Sequence, residues 1–186
     1  KINGSIPSEI GKLVNLETLI FCDTKLTGVI PPEIWTLTNL KRLWITFNDI
    51  KGRIPPEIGN LTKLESLNLC NNHTGVIPPE IGNLINLKDL DLSKNHLEGE
   101  IPSEIWNLTH LEELHLMLNK LTGSISSKIG NLKNLDSLDL SYNKLTGKVP
   151  DSICDIEWDV WGNVYLGDNQ LSKPYPDENF VPYRDE

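Results

Sequence analysis

The string N-L-x-x-L-x-L returns along this chain at a nearly constant interval, and a fixed interval limits the fold more than any single residue does. Taking the Leu after the Asn, or its equivalent, as position one, units begin at Leu16, Leu40, Leu64, Leu87, Leu111, Leu135 and Trp161. The steps between them are 24, 24, 23, 24, 24 and 26 residues, and half a unit, Lys1 to Asn15, precedes them. A unit this short cannot bury its own apolar face, so the units must stack and share one core. The composition follows from the repeat: 67 of 186 residues are Leu, Ile or Asn, and there is no Ala. With no Ala but 12 Pro and 13 Gly, long helices are not expected.

Each part of the unit has a physical role. The L-x-L pairs Leu90/Leu92, Leu114/Leu116 and Leu138/Leu140 alternate with period two, which predicts a short strand with one buried face. Three residues later comes an Asn: Asn48, Asn72, Asn95, Asn119, Asn143 and Asn169. An amide side chain both donates and accepts, so it can satisfy backbone groups inside a buried bend, and stacking would line these amides into a ladder. Gly follows, at Gly28, Gly52, Gly75, Gly99, Gly123 and Gly147, where the chain needs a tight path. Ile-Pro then ends any central strand and starts a short helical turn.

The whole pattern resembles the plant-type leucine-rich repeat family, whose signature is L-x-x-L-x-L-x-x-N-x-L-x-G-x-I-P. That class includes ectodomains of plant receptor-like kinases and polygalacturonase-inhibiting proteins. The resemblance covers residues 2 to about 171. It implies a leucine-rich repeat solenoid of the α/β repeat class: a curved right-handed stack with a parallel β-sheet on the concave face and short 3-10 or helical turns on the convex face. It also implies that the concave sheet and its flanking loops bind peptides, proteins or other ligands.

The chain divides into a partial N-terminal repeat without a cap (1–15), six repeats of 23–26 residues (16–160), and a last repeat signature with an acidic C-terminal cap (161–186). It begins in mid-repeat at Lys1-Ile2-Asn3-Gly4, which reads as a fragment or a processed product. Thr24 stands in for the first ladder Asn, and Ser126 for one Pro. The unit from Leu64 is a residue short: after Asn72 it runs His73-Thr74-Gly75, so a core position is expected to be absent or shared with a neighbour. The net charge of −9 is uneven, with 9 acids and 2 bases in residues 151–186.

There are three cysteines. Cys22 and Cys70 occupy the same strand position two units apart, ~10 Å at strand spacing, which is too far for a disulfide. Cys154 falls on the opposite, convex side, so no disulfide is expected. Asn60 and Asn107 lie in N-x-T sequons on the convex turn and are candidate glycosylation sites; Asn72 also lies in a sequon but is expected to be buried in the ladder. Sequons favour an extracellular or cell-surface location, while three cysteines without a bridge leave the cytoplasm open.

Residues beside L-x-L, at positions three, five, seven and eight, are expected to line the concave face. Two groups stand out. Trp44 and Ile20, with Phe47 close by, put large apolar groups there, either as a contact site or as cover for the N-terminal end, and Arg42 joins the candidate ligand-binding set. Asp89, Asp91, Glu113 and Asp139 surround His115 and could receive a basic side chain. The alternative is a solvated acidic stripe partly neutralised by Lys94, Lys120 and Lys144. Met117, Tyr142 and Tyr165 complete the candidate ligand-binding set.

No catalytic constellation is present: the chain has no G-x-G-x-x-G, Walker sequence, H-E-x-x-H or G-x-S-x-G. No enzyme activity, metal or cofactor is expected, because ligands on one flat sheet do not enclose an ion. The acidic balance argues against nucleic acid as partner, and no apolar run is long enough to span a membrane. The expected function is non-catalytic recognition of a protein or peptide on the concave face. The alternative is a structural subunit that self-associates through an open N-terminal end.

Overall fold

A computed structural model of the protein describes residues 4–71, 73–158 and 163–173. Seven strands among these residues form one parallel sheet in strictly sequential order: Thr18–Cys22, Arg42–Thr46, Ser66–Asn68, Asp89–Asp91, Glu113–His115, Ser137–Asp139 and Asn163–Tyr165. Each pairs in register with the same positions of the next unit, so that Leu43, Leu67, Leu90, Leu114 and Leu138 sit side by side. The protein is a leucine-rich repeat solenoid, with this sheet on its concave face. Parallel strands need a return path, and each unit supplies it through a short 3-10 turn such as Pro56–Asn60, Pro79–Asn83 or Ser103–Asn107. Leu64, Leu67, Leu69, Ile81 and Leu84 of one unit are all fully buried, and the core runs unbroken from Ile6 to Leu166.

The turns stack closely. Gly82 packs so near the next turn that a Cβ there would lie 2.5 Å from the Glu104 Cβ. Where Pro is replaced, Ser126 caps the turn instead, its Oγ accepting from the Lys128 amide at 3.2 Å.

The ladder asparagines lie at the bend after each strand. The Asn119 Nδ2 donates to the Leu92 carbonyl of the preceding unit at 2.9 Å and to Leu116 of its own at 3.1 Å, while its Oδ1 accepts from the Leu97 amide at 3.0 Å. Asn95, Asn143 and Asn169 repeat this geometry. Asn48 does the same toward Phe21 and Leu26, and also accepts from the Thr24 hydroxyl at 2.9 Å. Asn72 lies outside the described residues, as do residues 159–162 and the acidic segment from residue 174.

Beyond the ladder the chain forms a second, lateral set of strand pairs that the sequence does not announce. Thr27–Gly28 pairs Asp49–Ile50; Thr74–Gly75, His96–Glu100 and Lys120–Thr122 form a triplet; Thr146–Lys148 pairs Gln170–Ser172. Single bridges join these groups, Arg53 to Thr74 at the short unit and Ser124 to Thr146 at a full-length one. At the short unit the structure corrects the expectation of an absent or shared core position. The His73 amide donates to Asn95 Oδ1 at 2.7 Å, as Leu97 does to Asn119 and Leu121 to Asn143. His73 therefore holds the buried Leu place at position eleven, with one residue fewer between it and position eight than in the other units. Its side chain is 2% exposed, and neither ring nitrogen has a hydrogen-bond partner. Burial lowers its pKa to about 4; the Gly52 carbonyl opposes that shift but makes no proper bond to the ring.

Two outcomes are expected. Asn119→Ala strips partners from Leu92, Leu116 and Leu97 together, and should cost about 3 kcal/mol or more in urea unfolding; a loss under about 1 kcal/mol would contradict the ladder's role. His73 has a lower pKa folded, about 4, than its ordinary 6.5, so the unfolded chain takes up the proton first as pH falls. Stability should be complete above about pH 6.5 and decline toward pH 4, by about 3 kcal/mol in all. His73→Leu should remove that part of the slope, which the difference between the two unfolding profiles measures directly.

Candidate functional site

The pleat turns positions three and five outward. In register, position three reads Thr18, Arg42, Ser66, Asp89, Glu113, Ser137 and position five reads Ile20, Trp44, Asn68, Asp91, His115, Asp139, Tyr165. Neighbours within a column are ~4.8 Å apart, so the side chains form a continuous surface.

The N-terminal half of this surface is aromatic and basic. The Arg42 guanidinium lies 5.4 Å from the Trp44 ring centroid, a cation–π contact, and the Trp44 indole N–H donates to Ser66 Oγ at 2.9 Å. The indole is thus half-buried and held in one orientation. Ile20 beside it is exposed.

The central part is acidic and partly self-bonded. Asp91 Oδ1 accepts from the Ser93 amide and hydroxyl at 2.9 and 2.6 Å, and its Oδ2 accepts from Asn68 Nδ2 at 2.9 Å. Asp139 is held likewise by Ser141, and the His115 Nε2 meets Ser137 Oγ at 2.9 Å. Among the described residues, no hydrogen bond or ion pair holds the carboxylates of Asp89 and Glu113. Trp44, Asn68, Asp89, Asp91, Glu113 and His115 line one hollow of about 260 Å³. Beside it runs an exposed seam at position two, where Lys41 pairs with Glu17 and Lys88 with Glu112, both at 2.8 Å. The bond to Lys41 lowers the Glu17 pKa and raises that of Lys41; Glu112 raises Lys88 in the same way.

Position seven differs from its expected outward placing. Cys70, Ser93 and Ser141 are buried, because the strand has ended and the chain turns in toward the ladder; Thr46, the last residue of its longer strand, is buried as well. Burial raises the Cys70 thiol pKa. Only Met117 in the middle of the stack is half-exposed, and Cys22 at the first strand is exposed. Position eight turns outward instead. In every described unit it has a left-handed backbone, including Phe47, Leu118 and Tyr142 at φ 51, 54 and 53°. Bulky residues hold that conformation at a cost where Asn or Gly would not. The three side chains are 53%, 41% and 39% exposed, and form an apolar rim along the sheet. Asn60 and Asn107 lie exposed on the convex turns, away from this face. No group of three His, Cys, Asp or Glu able to hold a metal occurs among the described residues, and none of their helices is long and apolar enough to cross a membrane.

Among curated proteins, none matches the chain. Residues 57–141 match the family described as leucine-rich repeat region, and residues 15–37, 39–61 and 134–156 match single leucine-rich repeats. Among solved structures, the chain is similar to the leucine-rich repeat ectodomain of the Arabidopsis thaliana membrane receptor kinase GASSHO1/SCHENGEN3, bound to CASPARIAN STRIP INTEGRITY FACTOR 2 (40% identity, TM-score 0.85, 91% of this chain and 20% of that one). It is similar to the Arabidopsis receptor kinase HAESA in complex with the peptide hormone IDA and the co-receptor SERK1 (38%, TM-score 0.88, 95% and 29%). It is also similar to Pollen Receptor Kinase 3 (31%, TM-score 0.74, 89% and 79%). The chain thus spans less than a third of the first two receptors and most of the third. With the signature, the register and these likenesses together, the chain belongs to the plant-type leucine-rich repeat family.

Proposed function

We propose that this chain is a non-catalytic recognition module, of the receptor-like or inhibitor-like kind, that binds a peptide or protein on its concave face. The observation that carries this is the hollow: an oriented Trp44 on one side, and the unengaged carboxylates of Asp89 and Glu113 on the other. Oriented aromatics beside charged groups are the usual anchors of protein contacts. A ligand suited to this surface presents a Lys or Arg next to an aromatic or aliphatic residue. The apolar rim of Phe47, Leu118 and Tyr142 supports the same face, since it exposes three bulky side chains there despite their left-handed backbone. The structures it resembles include the ectodomain of a membrane receptor kinase and a receptor kinase in complex with a peptide hormone, which supports an extracellular place for this chain. Glycans on Asn60 and Asn107 would leave the concave face open.

A random peptide library selected on the immobilised chain tests this. The selected peptides are expected to combine a basic and an apolar residue, and to weaken about ten-fold or more with Trp44→Ala or with Asp89→Asn plus Glu113→Gln, a loss of about 1.4 kcal/mol or more. Binding that is equal in all variants would move the ligand off this face. Unfolding curves guard the comparison: these surface variants should remain near wild-type stability, whereas Leu43→Ala, which opens the core, should cost roughly 2–5 kcal/mol.

A further inference from the structure

The concave hollow holds one titratable base among its acids, and the ligand contacts proposed so far leave it aside. His115 ends the strand Glu113–His115, half-buried, and lines the hollow together with Trp44, Asp89, Asp91 and Glu113. The register sets it between two acids of its own column. Asp91 stands beside it on the preceding strand and Asp139 on the following one, each ~4.8 Å away along the column. Its Nε2 meets the Ser137 Oγ at 2.9 Å, which anchors the ring against the following strand.

The charge facing this ring is mostly negative. The preceding strand presents Asp89 and Asp91, its own strand Glu113, and the following strand Asp139. On the seam beside them, Lys88 is paired with Glu112 at 2.8 Å and Asp136 follows; Lys94 stands exposed on the rim, and Arg42 lies against Trp44. Two of the four facing carboxylates are already engaged: Asp91 by Ser93 and Asn68, and Asp139 by Ser141. Asp89 and Glu113 are the pair that a ligand cation and a charged imidazole both draw on. Histidine is the side chain that changes charge between about pH 5 and about pH 8, whereas ordinary carboxyls titrate near pH 4. Mild acid therefore adds one positive charge to the wall of an otherwise acidic hollow.

We propose that protonation of His115 gates the hollow, so that a basic ligand is held in neutral solution and released in mild acid. This regulation rests on the concave face being the binding face. With the ring neutral, Asp89 and Glu113 are open to a Lys or Arg of the ligand. With the ring charged, an imidazolium stands in the same wall, repels the incoming cation and shares its carboxylates. Linkage is reciprocal, so a cation that binds at intermediate pH expels a proton from the site.

The probe is the dipeptide acetyl-Leu-Lys-amide, titrated into the full chain and followed in NMR by the indole N–H signal of Trp44, which its loss in Trp44→Phe identifies. Saturable binding at about pH 7.5 is expected to weaken about five-fold or more at about pH 5.5, the size of one like charge at a partly solvated site. The ratio of the two affinities is the quantity read. It should fall to about one in His115→Gln, whose amide still offers Ser137 a polar partner but does not titrate. It should be unchanged in His73→Leu, which removes the loss of stability that burial of His73 causes over the same range. Equal wild-type affinities at both pH values, a ratio that persists in His115→Gln, or one that vanishes in His73→Leu would each overturn the gate while leaving the concave site in place. No saturable shift at either pH overturns the concave-face reading, and the gate with it.

Discussion

The buried amide at the bend is the interaction on which the rest of this structure depends. A strand that ends inside a stack must turn, and its turning residues expose carbonyls and amides where water cannot reach. One asparagine side chain answers three of them, and two of the three belong to the preceding unit. It therefore closes its own bend and locks its unit to its neighbour. That lock fixes the register in which Leu43, Leu67, Leu90, Leu114 and Leu138 meet. The same register lines up the outward columns, so the surface available to a ligand follows from a hydrogen bond on the buried side.

The strands are short, three or five residues, and this sharpens the division of labour along each unit. Positions three and five belong to the pleat and face outward. Position seven belongs to the bend and is drawn in, where Ser93 and Ser141 bond back to the carboxylates of Asp91 and Asp139. Those two acids are consequently fixed pieces of the surface, and only Asp89 and Glu113 retain unengaged carboxylates. An acidic stripe that looks uniform as a sequence is therefore two kinds of carboxylate, told apart by the serine two residues downstream.

The sequence made the solenoid, the parallel order and the ladder legible because each is encoded once per unit and repeated. What it left hidden is encoded once, or by a conformation. Period-two reasoning placed position seven outward, since nothing in L-x-L-x says where the strand stops. The lateral strand pairs escaped notice because they are two to five residues long and contain Gly and Thr rather than a clear alternation. The left-handed position eight escaped because Phe47, Leu118 and Tyr142 are not residues that announce such a backbone. Even the Asn that opens N-L-x-x-L has a function the repeat alone did not assign: Asn39, Asn86 and Asn134 reach back to carbonyls of the preceding unit on the convex side, at 2.8–2.9 Å.

The short unit shows how such a stack absorbs a defect. A deleted residue in a closed core would propagate, because every neighbour is shared. In a one-dimensional stack each unit touches only the next, so the disturbance can be confined to one joint. Here the chain keeps its ladder bond by moving His73 into the Leu place, at 2.7 Å from Asn95, and keeps a lateral bridge from Arg53 to Thr74. The concave strands on either side, Arg42–Thr46 and Asp89–Asp91, stay in register through Ser66–Asn68. The deletion thus alters the lateral face without disturbing the concave one. A repeat protein can in this way lose one residue and keep its register, because the amide ladder carries the alignment of the stack.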